Sequence, residues 1–302
     1  MTGGAGLPGP VRREVLAADG TPLACWDFAA PAGSAPRPAV LMVHGNGLNG
    51  LTWSPVAREC QSRGLRCVAL DLRAHGSSGR PGRRGPGGPG LAWERFGEDV
   101  LAAVDQLGLR PVVGAGHSAG ATALLLAEAA RPGTMAAIWA WEPIMAVPGV
   151  HRRETRGQEL AERARHRRSR FASHAEARQH FSGRGIFAGL DDRALEGYLE
   201  GGLRAAPDGG WRLSCDPEDE ATVYEGGGSH RAWEVLTALG CPVRLVGGEL
   251  SPAVPPSELA RIQARLAGSE LAVVPGLGHL GPFQGPLWAA TDIEHWAASA
   301  RA

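Results

Sequence analysis

The sequence predicts an α/β architecture, a mostly parallel sheet flanked by helices and interrupted by a helical insertion. Three observations carry that expectation. Short apolar runs alternate with helical patterns from Ala39 onward. The runs are unbroken rather than alternating, as strands buried on both faces are. Composition turns strongly basic from His151 to Arg170, after which the alternation resumes.

Val11 to Ala17 and Pro22 to Phe28 read as two short strands around Asp19-Gly20, a hairpin signal. Ala39 to Val43 is a buried parallel strand. Trp53 to Arg63 carries a helical pattern, Arg66 to Leu70 a strand, Trp93 to Leu107 a helix and Val112 to Ala115 a strand. Ala121 to Ala130 is a helix closed by Pro132-Gly133, and Met135 to Trp141 is the next strand. Such an order implies a parallel sheet with helical crossovers. Glycine and proline dominate Arg80 to Gly90, which is expected to be a mobile loop. Beyond the insertion come the helix Ala232 to Leu239, the strand Val243 to Val246 and the helix Pro256 to Leu266. The strand Leu271 to Val274 and a final helix near Leu287 to Ala298 complete the chain. The expected division is a loose tail over 1–10, a core over 11–148 and 229–302, and an inserted cap over 149–228.

The 302 residues carry 31 acidic and 31 basic side chains, so the formal net charge is zero. Attraction to nucleic acid or to an anionic membrane is therefore not a primary driver. Five cysteines, odd in number and without a C-x-x-C pair, suggest buried free thiols rather than disulfides or a zinc site. No secretory signal and no bilayer-spanning apolar stretch is visible, so a soluble cytoplasmic protein is the expectation. No oligomeric state follows from the sequence.

Gly116-His117-Ser118-Ala119-Gly120 is a G-x-S-x-G pentapeptide between an apolar run and an alanine- and leucine-rich helix. A sharp strand-to-helix turn with a strained central residue needs small neighbours two positions away, and Gly116 and Gly120 meet that need. Ser118 is the candidate nucleophile. A chain with 44 glycines could produce such a turn by chance, but the flanking strand and helix patterns argue for the functional reading.

Other motifs fall in a recognisable order. His44-Gly45-Asn46-Gly47 follows the strand Ala39 to Val43, and Asp71-Leu72-Arg73-Ala74-His75-Gly76-Ser77-Ser78 follows the next strand. Pro275-Gly276-Leu277-Gly278-His279 follows Leu271 to Val274. Together with the elbow, these stretches resemble the HGxxG-like turn, the D-x-R-x-H-G-x-S stretch and the P-x-x-G-H stretch of the α/β-hydrolase superfamily, in a cap-bearing form. The resemblance implies the α/β-hydrolase fold, with an eight-stranded core and a helical cap. It also implies a serine hydrolase that uses no metal or organic cofactor and takes a small-molecule substrate.

A serine hydroxyl needs a base within hydrogen-bond reach. His279 is the best candidate, since a short glycine-containing loop brings it to the sheet edge where Ser118 emerges. His117, beside the nucleophile, reads as packing or turn-fixing. The acid departs from the family's usual pattern. The stretch resembling G-E-D-D-P is here Gly248-Glu249-Leu250-Ser251-Pro252, with Ser251 where an aspartate is usual. Two carboxylates answer the need: Glu142, directly after the strand ending at Trp141, and Glu249. Glu142 is preferred, because some relatives resembling haloalkane dehalogenases place the acid after this strand and the order Ser, Glu, His is kept. The resemblance makes the backbone N–H groups of Ala119 and Asn46 the oxyanion donors. Asp71, Arg73 and His75 read as structural, pinning neighbouring loops.

Trp53, Trp141 and Phe283 flank the motif loops and are candidate pocket walls, with ordinary packing as the other reading. Between His151 and Arg178, nine arginines face four acidic residues. A solvated helix face is the favoured explanation, and attraction of an anionic substrate the other. Expected chemistry is hydrolysis of a small carboxylic ester or related acyl compound. C–C bond hydrolysis, cofactor-free peroxidation, acyl transfer or a non-catalytic ligand-binding role are the rivals on this fold.

Overall fold

The computed structural model describes residues 7–82, 89–150 and 152–299. The readings of residues 1–6 of the tail, 83–88 of the Gly/Pro loop, His151 and 300–302 lie outside the described residues.

An antiparallel hairpin of β1 (Val11–Leu16) and β2 (Pro22–Phe28) opens the chain. Next in order are β3 (Ala39–Val43), α1 (Ser54–Ser62), β4 (Cys67–Leu70), α2 (Trp93–Gln106), β5 (Val112–His117), α3 (Ala119–Ala130) and β6 (Ala137–Trp141). The insertion supplies α4 (Arg152–Arg165), β7 (Arg170–Phe171), α5 (His174–Phe181), α6 (Asp192–Gly202), β8 (Leu203–Ala205), β9 (Trp211–Leu213) and α7 (Pro217–Glu225). The return runs through α8 (Ala232–Val235), β10 (Val243–Gly248), α9 (Pro256–Gln263), β11 (Glu270–Val274), α10 (Gly281–Gln284) and α11 (Pro286–Ser299).

Eight strands form one sheet in the order β1-β2-β4-β3-β5-β6-β10-β11. All pairs from β4 to β11 are parallel, and the hairpin adds an antiparallel edge. Both faces are covered. Leu41 and Val43 of β3 pack into an apolar cluster shared with α2 and α3, whereas Val40 and Met42 pack into a second cluster shared with α1 and α11. Burial on both faces is why these strands read as unbroken apolar runs.

The insertion is mainly helical and also holds a small sheet that the sequence does not announce. Strands β7, β9 and β8 form a small antiparallel sheet, Phe171 opposite Trp211 and Leu203 opposite Leu213. Two- and three-residue strands are too short to show an alternation in sequence. Phe171, Phe181, Phe187 and Tyr198 stack edge-on or tilted within this segment and continue the cluster on the α1 and α11 side. The helix expected over Ala232 to Leu239 stops at Val235 and tightens into a 3-10 turn, Leu236–Ala238.

Strand β3 lies between β4 and β5, so the connection to β4 runs to one side of β3 and the next crosses back over it to the other. Parallel sheets open a crevice beyond the C-terminal strand ends at such a point. Val43 pairs with Gly116, and His117 with Trp141, so the turn after β3, the elbow after β5 and the loop after β6 emerge side by side.

Arg73, on the loop after β4, is completely buried and pairs with the equally buried Asp99 of α2 and with Asp19 of the hairpin turn. Its Nε and Nη2 reach both oxygens of Asp99 at 2.8 and 2.5 Å. Removing one partner of such a pair strands the other charge in the interior. Arg73→Met is expected to lower unfolding stability by about 3–5 kcal/mol, measured by urea denaturation. A loss below about 1 kcal/mol would show that Asp99 finds solvent or another partner.

Candidate catalytic site

The elbow is built by close approach. Ser118 sits at φ 54°, ψ −118° between β5 and α3, a conformation that L-residues rarely adopt. A Cβ on Gly120 would lie 2.2 Å from the Val43 carbonyl oxygen, and one on Gly116 would lie 2.4 Å from the Ala121 Cα. Only glycine lets β3, β5 and α3 meet this closely. The Ser118 N–H donates to the Trp141 carbonyl at 2.8 Å, which couples the elbow to the end of β6. Ala119 is the first residue of α3, where the backbone N–H has no intrahelical acceptor.

Glu142, immediately after β6, has φ 47°, a left-handed non-glycine position like those of Ser118 and Ala74. Its N–H donates to the Val246 carbonyl at 2.9 Å. The side chain is completely buried. Its Oε1 accepts the Gly248 N–H at 2.8 Å, and Oε2 accepts the Ser251 hydroxyl at 2.6 Å. His279 Nδ1 lies 2.6 Å from the same Oε2. Ser251 in turn accepts the Ala253 N–H at 3.1 Å. The structure thus brings Glu142 and His279 together. Ser251, where an aspartate is usual in the resemblance, holds the carboxylate instead of substituting for it. Glu249 points elsewhere and accepts the Gly276 N–H at 3.1 Å near the surface.

His279 keeps 24% of its side-chain surface exposed, while Glu142 keeps none. Such a gradient leaves the imidazole reachable and the carboxylate dry. The other histidines nearby are buried and held neutral. Burial and the adjacent His75 push the His44 pKa down to about 3, and burial lowers that of His75. Their roles are structural. His44 Nε2 accepts the Leu72 N–H at 3.0 Å, and His75 Nε2 accepts the Gly47 N–H at 3.1 Å. These bonds fix the turn after β3 against the loop after β4. Asp71 fixes the same turn further on, accepting the Gly50 N–H at 2.6 Å and the Ser77 N–H at 2.8 Å.

Asn46 has its side chain turned toward the insertion, its Nδ2 donating to the Glu220 carbonyl of α7 at 2.9 Å. Arg167 pairs with the Glu220 carboxylate and donates to the Tyr198 hydroxyl at 2.9 Å. Sequence reasoning missed this link, since no local pattern ties Asn46 to a residue 174 positions away.

Trp53, Trp141 and Phe283 differ from the expected pocket walls. All three are fully buried, so they offer no surface to a ligand in this conformation. Trp53 packs edge-on against Phe283 with ring centroids 4.9 Å apart, and Phe283 packs against His117 at 5.3 Å. Trp141 donates its indole N–H to the His279 carbonyl at 2.9 Å. Large aromatics adjoining motif loops support those loops from beneath.

Among the described residues no cluster of histidine, cysteine and carboxylate side chains suits a metal ion, and no helix is long and apolar enough to cross a membrane. All five cysteines are buried and free.

The alpha/beta hydrolase family model matches residues 40–291. Lipase LipV of Mycobacterium tuberculosis is 31% identical over 177 residues, 58% of this chain and 62% of that protein. The sn-1-specific diacylglycerol lipase ABHD11 of Mus musculus is 30% identical over 122 residues, 39% of this chain and 38% of that protein. The chain thus spans less than two thirds of the length of either relative. Among solved structures, E-2-(acetamidomethylene)succinate hydrolase superposes with a TM-score of 0.79 at 21% identity, covering 96% of this chain and 99% of that one. A thermophilic esterase from Thermogutta terrifontis superposes at 0.69 and 21% identity, covering 97% of this chain and 100% of that one. At such identities the likeness is one of fold.

Ser251→Ala would leave the buried carboxylate one donor short. The variant is expected to lose about 1–3 kcal/mol of unfolding stability. Unchanged denaturation midpoints would mean that Glu142 does not depend on the hydroxyl.

Proposed function

Because the chain belongs to the alpha/beta hydrolase family, we propose that it is a serine hydrolase acting on a small carboxylic ester or related acyl compound. The observation that carries this reading is the Nδ1-to-carboxylate contact of 2.6 Å between His279 and buried Glu142, beside an elbow whose serine has φ 54°. Ser118 Oγ attacks the carbonyl carbon while His279 Nε2 takes its proton. Glu142 orients the imidazole and stabilises the imidazolium. The N–H groups of Ala119 and Asn46 receive the developing oxyanion. The tetrahedral intermediate expels the alcohol, which leaves with the proton from His279. Water, deprotonated by His279, then attacks the acyl-enzyme and releases the acid and free Ser118. Residues 149–228 act as a cap over the strand ends, and Asn46 is the link between cap and oxyanion turn. Two relatives named as lipases support ester hydrolysis.

The basic first part of the cap favours a structural reading. Arg165 pairs with Glu218 and Glu225, Arg167 with Glu220, Arg168 with Glu176, Arg170 with Asp208, and Arg178 with Asp192 and Glu196. Arginines neutralised in this way exert little pull on an anionic substrate.

A fluorophosphonate probe is expected to label the wild-type protein and to leave Ser118→Ala unlabelled. Glu142→Gln should retain the fold and lose about 10³–10⁴-fold in kcat on a p-nitrophenyl ester. Absence of labelling at Ser118 would turn the reading toward a ligand-binding homologue, and full turnover by Glu142→Gln would remove Glu142 from the triad. In a panel of p-nitrophenyl esters at low and high salt, kcat/KM for anionic members should show no gain at low salt. A clear gain would restore the anionic-substrate reading of the cap.

A further inference from the structure

The carbonyl oxygen of His279 accepts two partly buried hydrogen bonds, from Trp141 Nε1 at 2.9 Å and from His117 Nε2 at 3.0 Å. Each donor is the residue immediately before another member of the site: Trp141 precedes Glu142, and His117 precedes Ser118. Three loops that carry the reactive side chains therefore meet at one oxygen.

The His117 bond fixes a tautomer. With Nε2 donating to a carbonyl, Nδ1 holds a lone pair. That atom is buried and has no hydrogen-bond partner among the described residues. It faces the turn after β3, where a Cβ on Gly45 would lie 2.6 Å from it. Burial and the neighbouring His279 hold the His117 pKa well below the usual histidine range, so the ring stays neutral and the donor stays in place. A buried acceptor without a partner is unfavourable, whereas an apolar ring of similar shape carries no such deficit. As a space-filling core residue, histidine is the poorer choice here. Its presence is accounted for by the donor on its other nitrogen.

We propose that His117 is a positioning residue for the hydrolase reading above, holding the His279 main chain in register with Ser118 and Glu142 through its Nε2–H and in concert with the Trp141 indole. Rigid rings are suited to the task, because their donors have few torsions through which to drift. A shift of the base by about 1 Å relative to the nucleophile is enough to lower turnover about 100-fold.

The test uses the full chain and compares His117→Phe, which removes the donor, with His117→Gln, whose side-chain amide can offer one. His117→Phe is expected to melt at or above the wild-type temperature. Its kcat on a p-nitrophenyl ester should fall about 10- to 100-fold. KM should stay within about twofold, and His117→Gln should recover most of kcat. Amide hydrogen exchange over residues 276–284 should quicken in the Phe variant and return toward wild type in the Gln variant. His117→Met, lacking the donor in a smaller apolar side chain, gives the same comparison if the Phe variant does not fold. Loss of kcat that merely tracks a lowered melting temperature, with Gln no better than Phe, overturns the proposal, as does unchanged kcat. If wild-type protein neither labels with fluorophosphonate nor turns over esters, the hydrolase reading fails and the positioning role falls with it. The exchange data then separately decide whether the bond holds the loop at all.

Discussion

A carboxylate with no contact to solvent must have its charge met from within, and in this chain that demand falls on Glu142. Its two oxygens are met by the Gly248 N–H, the Ser251 hydroxyl and His279 Nδ1. Those partners come from the end of β10, the loop after it and the loop after β11. One buried charge therefore sets the relative positions of three strand ends. A left-handed backbone at Glu142 is the local strain that accompanies this arrangement, and the Glu142 N–H to Val246 bond anchors it to the sheet. The elbow joins the same assembly, since the Ser118 N–H donates to the carbonyl of Trp141, the residue before Glu142.

A second set of constraints surrounds the turn after β3. Neutral His44 and His75 and the buried Asp71 bind its flanks by accepting backbone N–H groups. From the other side, Asn46 is bound to the Glu220 carbonyl and Asn49 to the Tyr198 carbonyl, at 2.9 and 2.8 Å. The turn is thus clamped between the sheet and the insertion. Displacement of α7 would reach the turn through the Asn46 side chain, and displacement of α6 through that of Asn49.

The insertion is held to itself chiefly by charge and aromatic packing. Arginines that look like a basic surface in sequence are distributed over acids from other elements of the segment, such as Glu218, Glu220 and Glu225 of α7. Phe171, Phe181, Phe187 and Tyr198 provide the apolar part and merge with the core on the α1 and α11 side. Local basicity in the sequence was a statement about chain order, and pairing across elements cancels it in space.

Local patterns in the sequence determined the alternation of strands and helices, the glycine-framed elbow at Ser118 and the placement of His279 after the last strand. Each depends on near neighbours: unbroken apolar runs for strands buried on both faces, and residues without a Cβ where backbones touch. Tertiary structure decided the rest. Whether Glu142 or Glu249 reaches His279 depends on a contact between residues 137 positions apart and on a left-handed backbone at Glu142. Burial of Trp53, Trp141 and Phe283, the small sheet in the insertion and the two donors on the His279 carbonyl are likewise products of packing. Periodicity reports which face of an element is apolar; which partner a polar atom finds is set only when distant segments close on one another and exclude water.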